Sequence, residues 1–140
     1  MDAVYNPLPN HLHVEWTIKA MHAGKHVLCE KPIGLDAADA QKLLDESKKY
    51  PDLKIMEAFM YRFHPQIHKV RELVAEGVLG ELRFIQCNFG FTLINDPDIR
   101  REPEKGGGAL WDIGSYPVSF ARTMAGENPV AVAGWQVQSD

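Results

Sequence analysis

A chain of 140 residues, 45% hydrophobic and 24% charged, has the composition of a globular domain, which excludes a disordered or low-complexity segment. A formal net charge of −4 leaves no basic footprint for nucleic acid, and no run of about 18 apolar residues is present to span a membrane. Met1–Pro7 has neither the basic nor the apolar region of a signal peptide, and Cys29 and Cys87 lie far apart in apolar runs as expected of reduced core thiols; a cytoplasmic protein is therefore expected.

Ala3-Val4-Tyr5 reads as a short strand, stopped at once by the loop Asn6-Pro7-Leu8-Pro9-Asn10. A helix is predicted over His11–Ala23, because Leu12, Trp16 and Ala20 recur at helical spacing and Val14, Ile18 and Met21 widen the stripe. Asn10 is its expected N-cap and Gly24 its exit. His26–Cys29 is the second strand. Asp36 is placed to cap a helix over Ala37–Lys49, with Ala40, Leu43 and Leu44 on its core side and Lys48 and Lys49 at its carboxyl end. Leu53–Phe59 is the third strand.

Strands alternating with helices across short connections indicate a parallel sheet. After Phe59 the pattern changes. Pro65 opens a helix to Glu76, and Gly77 and Gly80 mark its end. Two long antiparallel strands are predicted at Glu81–Thr92 and Val130–Gln138, separated by a charged loop, Asn95–Lys105, and the segment Gly106–Ala125. The expected fold is α/β followed by α+β. It comprises the C-terminal half of a Rossmann-type sheet over residues 1–62 and part of a mostly antiparallel domain over residues 63–140. No G-x-G-x-x-G occurs, and the chain opens directly on a strand, so it reads as an internal piece of a longer protein.

Two blocks carry chemistry. Glu30-Lys31-Pro32 follows the second strand, at the end of a sheet where open α/β folds hold their ligands. In Gly106-Gly107-Gly108-Ala109-Leu110-Trp111-Asp112-Ile113-Gly114-Ser115-Tyr116, Asp112 and Tyr116 are four apart and share one face of a helix. A phenol beside an ammonium is a suitable acid or base for alcohol–carbonyl interconversion, and an ammonium as close as that of Lys31 would lower the tyrosine pKa. The six histidines form no convincing metal set: His64 reads as a cap beside Pro65 rather than a ligand paired with His68, and no metal is expected. The cluster Asp96-Pro97-Asp98 and Arg100-Arg101-Glu102 reads as a solvated loop.

These blocks, with the loop Asn6–His11 and the stretch Glu57–Pro65, stand in the order and spacing of one family. The sequence resembles the glucose–fructose oxidoreductase and inositol dehydrogenase family of NAD(P)-dependent oxidoreductases, over essentially all 140 residues. Tyr116 places the resemblance in the branch with dimeric dihydrodiol dehydrogenase and xylose dehydrogenase. The resemblance implies a hydride transfer between NAD or NADP and a secondary alcohol of a sugar, polyol or cyclic diol. It implies that Lys31, Tyr116 and Asp112 are catalytic, and that Asn6, Pro7, Asn10, His11, Glu30, Lys31 and Arg62 contact the cofactor. It further implies that Met60 and Trp111 wall the substrate pocket, that Pro32 follows the lysine in a cis peptide, and that a homodimer forms through the C-terminal sheet. The alternative is an inactive fragment, or a sugar- or nucleotide-sensing homologue of the same fold.

Overall fold

A computed structural model describes residues 1–94 and 97–135. It opens with three parallel strands, β1 (Ala3–Asn6), β2 (His26–Cys29) and β3 (Ile55–Glu57), in that spatial order. Val4 stands opposite Val27, and Val27 opposite Ile55. Two helices make the crossovers: α1 (His13–His22) joins β1 to β2, and α2 (Ala37–Ser47) joins β2 to β3. Right-handed crossovers that step in one direction put both helices on one face of the sheet. There Val14, Met21, Val27, Cys29 and Leu43 form the core, with Ile18, Ile33, Leu53 and Ile55 packed around them. The opposite face carries the in-register row Tyr5, Leu28 and Met56, all exposed.

Local chemistry accounts for most element ends. Asp36 caps α2, its carboxylate accepting from Asp39 N–H at 2.7 Å. Gly24 takes φ +71° to end α1, a conformation that costs glycine little. α3 spans Pro65–Ala75, with His64 Nδ1 accepting from Gln66 N–H at 3.2 Å at its start.

Several sequence expectations are corrected. Asn10 does not cap α1: residues 10–12 form a 3-10 turn, and the Asn10 amide is used on a distant partner. Leu44 is exposed rather than in the core, because α2 turns only one side to α1 and the sheet. β3 is shorter than Leu53–Phe59, ending where β2 ends as its partner. Cys29 is buried, its thiol pushed up to about 11 chiefly by desolvation, while Cys87 is only half-buried.

The largest correction concerns the second half. No strand is assigned among the described residues of 81–94 or at 130–135, so the antiparallel sheet is absent there, and Gln136–Gln138 lie outside the described residues. A strand is defined by its ladder, and neither segment pairs with a neighbouring strand among the described residues. The regular structure in this half is helical. α3 is followed, after short 3-10 turns at Ile99–Arg101 and Pro103–Lys105, by a π-helical turn, Leu110–Gly114, that runs directly into α4 (Ser115–Ala125).

Candidate active site

The helix built from the π-turn and α4 returns to the carboxyl end of the sheet. The approach is close. Asn10 Nδ2 donates to the Gly106 carbonyl at 2.8 Å, and Gly106, at φ +77°, is buried. A Cβ there would meet the Leu35 side chain and stand 2.9 Å from Asn10 Cβ; one on Gly107 would stand 2.8 Å from two backbone oxygens. These two glycines are required by space and backbone geometry.

This contact delivers Asp112 to Lys31. Lys31 Nζ donates to Asp112 Oδ1 at 2.8 Å and to the Asp112 carbonyl at 2.5 Å, across 81 positions of sequence. Asp112 Oδ2 faces Arg100 Nε at 3.1 Å, so the carboxylate lies between two cations. Arg100 also pairs with Asp98. Both Lys31 and Asp112 are largely buried, 14% and 18% exposed at the side chain, which shields the pair from solvent screening. The Lys31–Pro32 peptide is cis. Glu30 lies beside it, its carboxylate accepting from Tyr5 O–H at 2.7 Å.

Tyr116 follows one turn after Asp112. The Lys31 ammonium stands over its ring, 5.2 Å from the centroid. Phe59 and Phe89 meet the ring edge-to-face and Tyr61 meets it tilted, with Tyr61 Oη and Ser119 Oγ 2.8 Å apart behind them. The expected lowering of the Tyr116 pKa is corrected. It is raised, first by desolvation among these rings and then by the negative charges of Glu30 and Asp112. Lys31 spends its charge on Asp112 and stands over the ring, and it is not among the groups that set the phenol's shift.

A cleft of about 240 Å³ opens over the Lys31–Asp112 pair, lined by Leu8, Asn10, Glu30, Arg100, Lys105 and the Gly106–Gly107 backbone among others. Its size and mixed polar groups suit the ribose–nicotinamide half of a dinucleotide. Of the residues expected at the cofactor, Asn10, Glu30 and Lys31 meet here. Asn6 does not: its amide is buried, donating to the His13 carbonyl and to Thr17 Oγ1, both at 3.1 Å. Pro7 borders a separate apolar hollow beside Trp16. His11 is half-buried, and its Nδ1 has no partner among the described residues. Arg62 is turned into another cleft, with Arg71 and Arg122. Met60 is exposed, and neither it nor Trp111 lines the Lys31 cleft. Arg100 was legible only as a loop cation; His13, in the predicted helix start, and Glu57, at the head of one block of the resemblance, were given no role of their own, and they hold the turn beyond Lys31.

Residues 67–140 match the GFO/IDH/MocA C-terminal domain, and residues 1–58 match the oxidoreductase family with an NAD-binding Rossmann fold. The chain belongs to the GFO/IDH/MocA oxidoreductase family. It is similar to D-xylose 1-dehydrogenase (NADP(+)) 2 of Haloferax volcanii, 44% identical over 90% of this chain and 38% of that protein. It is equally similar to a dTDP-3,4-didehydro-2,6-dideoxy-alpha-D-glucose 3-reductase of Actinomadura kijaniata, 44% identical over 90% of this chain and 38% of the relative. Among solved structures, the aldose–aldose oxidoreductase of Caulobacter crescentus, complexed with glycerol, superposes with a TM-score of 0.88 at 38% identity, over 93% of this chain and 39% of that one. The chain thus spans about two fifths of these relatives. No helix among the described residues is long and apolar enough to cross a membrane.

Proposed function

We propose that the protein containing this chain is an NAD(P)-dependent oxidoreductase, interconverting a secondary alcohol and a carbonyl on a sugar, polyol or cyclic diol. The observation that carries the reading is the meeting of Lys31 and Asp112 at one cleft, from segments far apart in sequence, with the Lys31 ammonium over the ring of Tyr116, which borders the neighbouring hollow. The nicotinamide, when bound, supplies or accepts the hydride. Asn10, Glu30 and Lys31 would hold its ribose side. The phosphates would need a seat that this chain does not offer, since no glycine-rich turn follows a strand here.

The chain's own residues supply positioning and proton handling. Two of the three Lys31 N–H donors are taken by Asp112, which fixes the ammonium and leaves the third to hold a substrate oxygen. Tyr116, its pKa raised by burial and by nearby carboxylates, is protonated at neutral pH. It is therefore set to give a proton to a carbonyl oxygen in reduction. Oxidation needs the phenolate, so the oxidation rate should climb as pH rises into the alkaline range, while reduction holds through neutrality and falls above the tyrosine pKa.

The same reading places the division between a cofactor domain and a substrate domain near residues 62–63, between the two family matches. It also includes a cytoplasmic protein that pairs with a second copy through its C-terminal half, where Phe84, Phe91 and Ile94 are exposed. Sedimentation velocity of the full protein checks the pairing. Tyr116→Phe tests the chemistry, since it keeps the ring contacts and removes only the proton carrier. Turnover should drop about 10²–10⁴-fold, with NAD(P)H affinity by nicotinamide fluorescence unchanged. Unaltered turnover would dismiss the role.

A further inference from the structure

We propose that His13 and Glu57 are positioning residues for Lys31: they clamp the single peptide group between Pro32 and Ile33 and so set where the lysine ammonium stands. The inference rests on the role given to Lys31 above. His13 is fully buried on the first turn of α1, its Nδ1 2.7 Å from the Pro32 carbonyl oxygen. Glu57 ends β3, and its Oε1 accepts from Ile33 N–H at 2.8 Å. The Pro32 carbonyl and the Ile33 N–H belong to one rigid peptide plane. Both of its hydrogen-bonding groups are thus satisfied by side chains of two other elements, which leaves the plane no freedom to rotate. Lys31 is attached immediately before it.

The imidazole does a second thing. Its Nε2 stands 2.6 Å from the Leu8 carbonyl oxygen. The ring thus lies between the loop after β1 and the turn after β2, donating to the Pro32 carbonyl as its Nδ1–H tautomer and to both carbonyls only with an N–H on each nitrogen, and Leu8 and Lys31 are both walls of the same cleft. Ordinary turn stability does not call for an ionisable pair here. Burying a carboxyl works against its charged form, and desolvation does hold Glu57 above its ordinary range. That cost is reasonable where the position of an ammonium matters.

The side-chain geometry gives a selective test in the full chain. Asparagine puts an amide N–H where His13 Nδ1 stands, whereas glutamine puts one where Nε2 stands. His13→Asn should keep the Pro32 bond and stay within about threefold of parent kcat, while His13→Gln, losing it, should fall about 10–100-fold. Glu57→Gln retains an acceptor for Ile33 N–H and should stay near parent; Glu57→Ala should fall with His13→Gln. A second readout does not depend on turnover. After reductive ¹³C-methylation, the Lys31 dimethylammonium NMR resonance should move toward that of a free lysine in His13→Gln and Glu57→Ala, and hold in His13→Asn and Glu57→Gln. The clamp is overturned if His13→Gln leaves that resonance unmoved, or if His13→Asn and His13→Gln shift it equally. A parent protein that oxidises no alcohol, yet shows the expected pattern of resonances, would remove the proposed function and leave the clamp standing.

Discussion

Residues 3–57 and residues 81–94 are written in similar side chains and reach opposite ends. Each holds apolar and β-branched or aromatic residues at strand-like spacing. In the first, β2 lies between two neighbours, α1 and α2 close one face, and Met21 and Cys29 are fully buried. In the second, Phe84, Phe91 and Ile94 stand exposed and no ladder forms among the described residues. The difference teaches that alternation is a request for a partner, not a strand in itself. β1 and β2 each find one within the next thirty or so positions, through a helix that brings the chain back.

That comparison can be broken by paired truncations. Met21→Ala should cost about 2–5 kcal/mol, because it leaves a cavity among Val14, Val27, Cys29 and Leu43. Phe84→Ala should cost less than about 0.5 kcal/mol, the usual effect of a surface change. Urea denaturation of the chain measures both. Equal losses would mean that the second region packs after all, and the contrast would disappear.

A middle-sized effect tests the seam between the regions. Gly106→Ala would put a Cβ against Leu35 and Asn10 and force a left-handed backbone on alanine. Overpacking of this kind costs about 1–3 kcal/mol. Because Asn10 holds the Gly106 carbonyl, the variant should also loosen the Lys31–Asp112 pair, seen as faster modification of the Lys31 amine by an acylating reagent. Slower or equal modification would show that the Asn10–Gly106 contact does not position Asp112.

Much of the sheet was legible because its determinants are local. Asp36 three positions before Asp39 announces a cap, Gly24 announces an exit, and strand–helix alternation with short connections admits few topologies. The site was legible in its parts: Lys31 at a strand end, and Asp112 and Tyr116 one helical turn apart. What escaped was set by long-range contacts. Asn10 gives up capping for a carbonyl 96 positions away. Asn6 looks like a cleft residue until its amide is seen spent on His13 and Thr17. The direction of the Tyr116 shift is set first by burial among Phe59, Tyr61 and Phe89 and then by Glu30 and Asp112, and all of these but Asp112 come from distant positions in sequence.

The smallest expected effect sharpens the comparison from inside the packed region, at the carboxyl built into the turn beyond Lys31. Burial raises the Glu57 pKa above its ordinary 4.5, outweighing the bond from Ile33 N–H and the fields of Arg62, His13 and Arg122. In the unfolded chain the carboxyl titrates in its ordinary range. Between that range and the raised folded value, the folded state holds more protons than the unfolded state. Stability must then fall as pH rises through that window. The penalty is absent below the unfolded pKa and complete above the folded one. Glu57→Gln removes the titration and keeps an acceptor for Ile33, so its stability should lack this falling segment. Urea denaturation of both proteins from mildly acidic to neutral pH should show the parent losing ground to Glu57→Gln as pH rises. A difference that stays flat, or grows in the parent's favour, would mean that the carboxylate is better solvated in the fold than its position at the end of β3 implies.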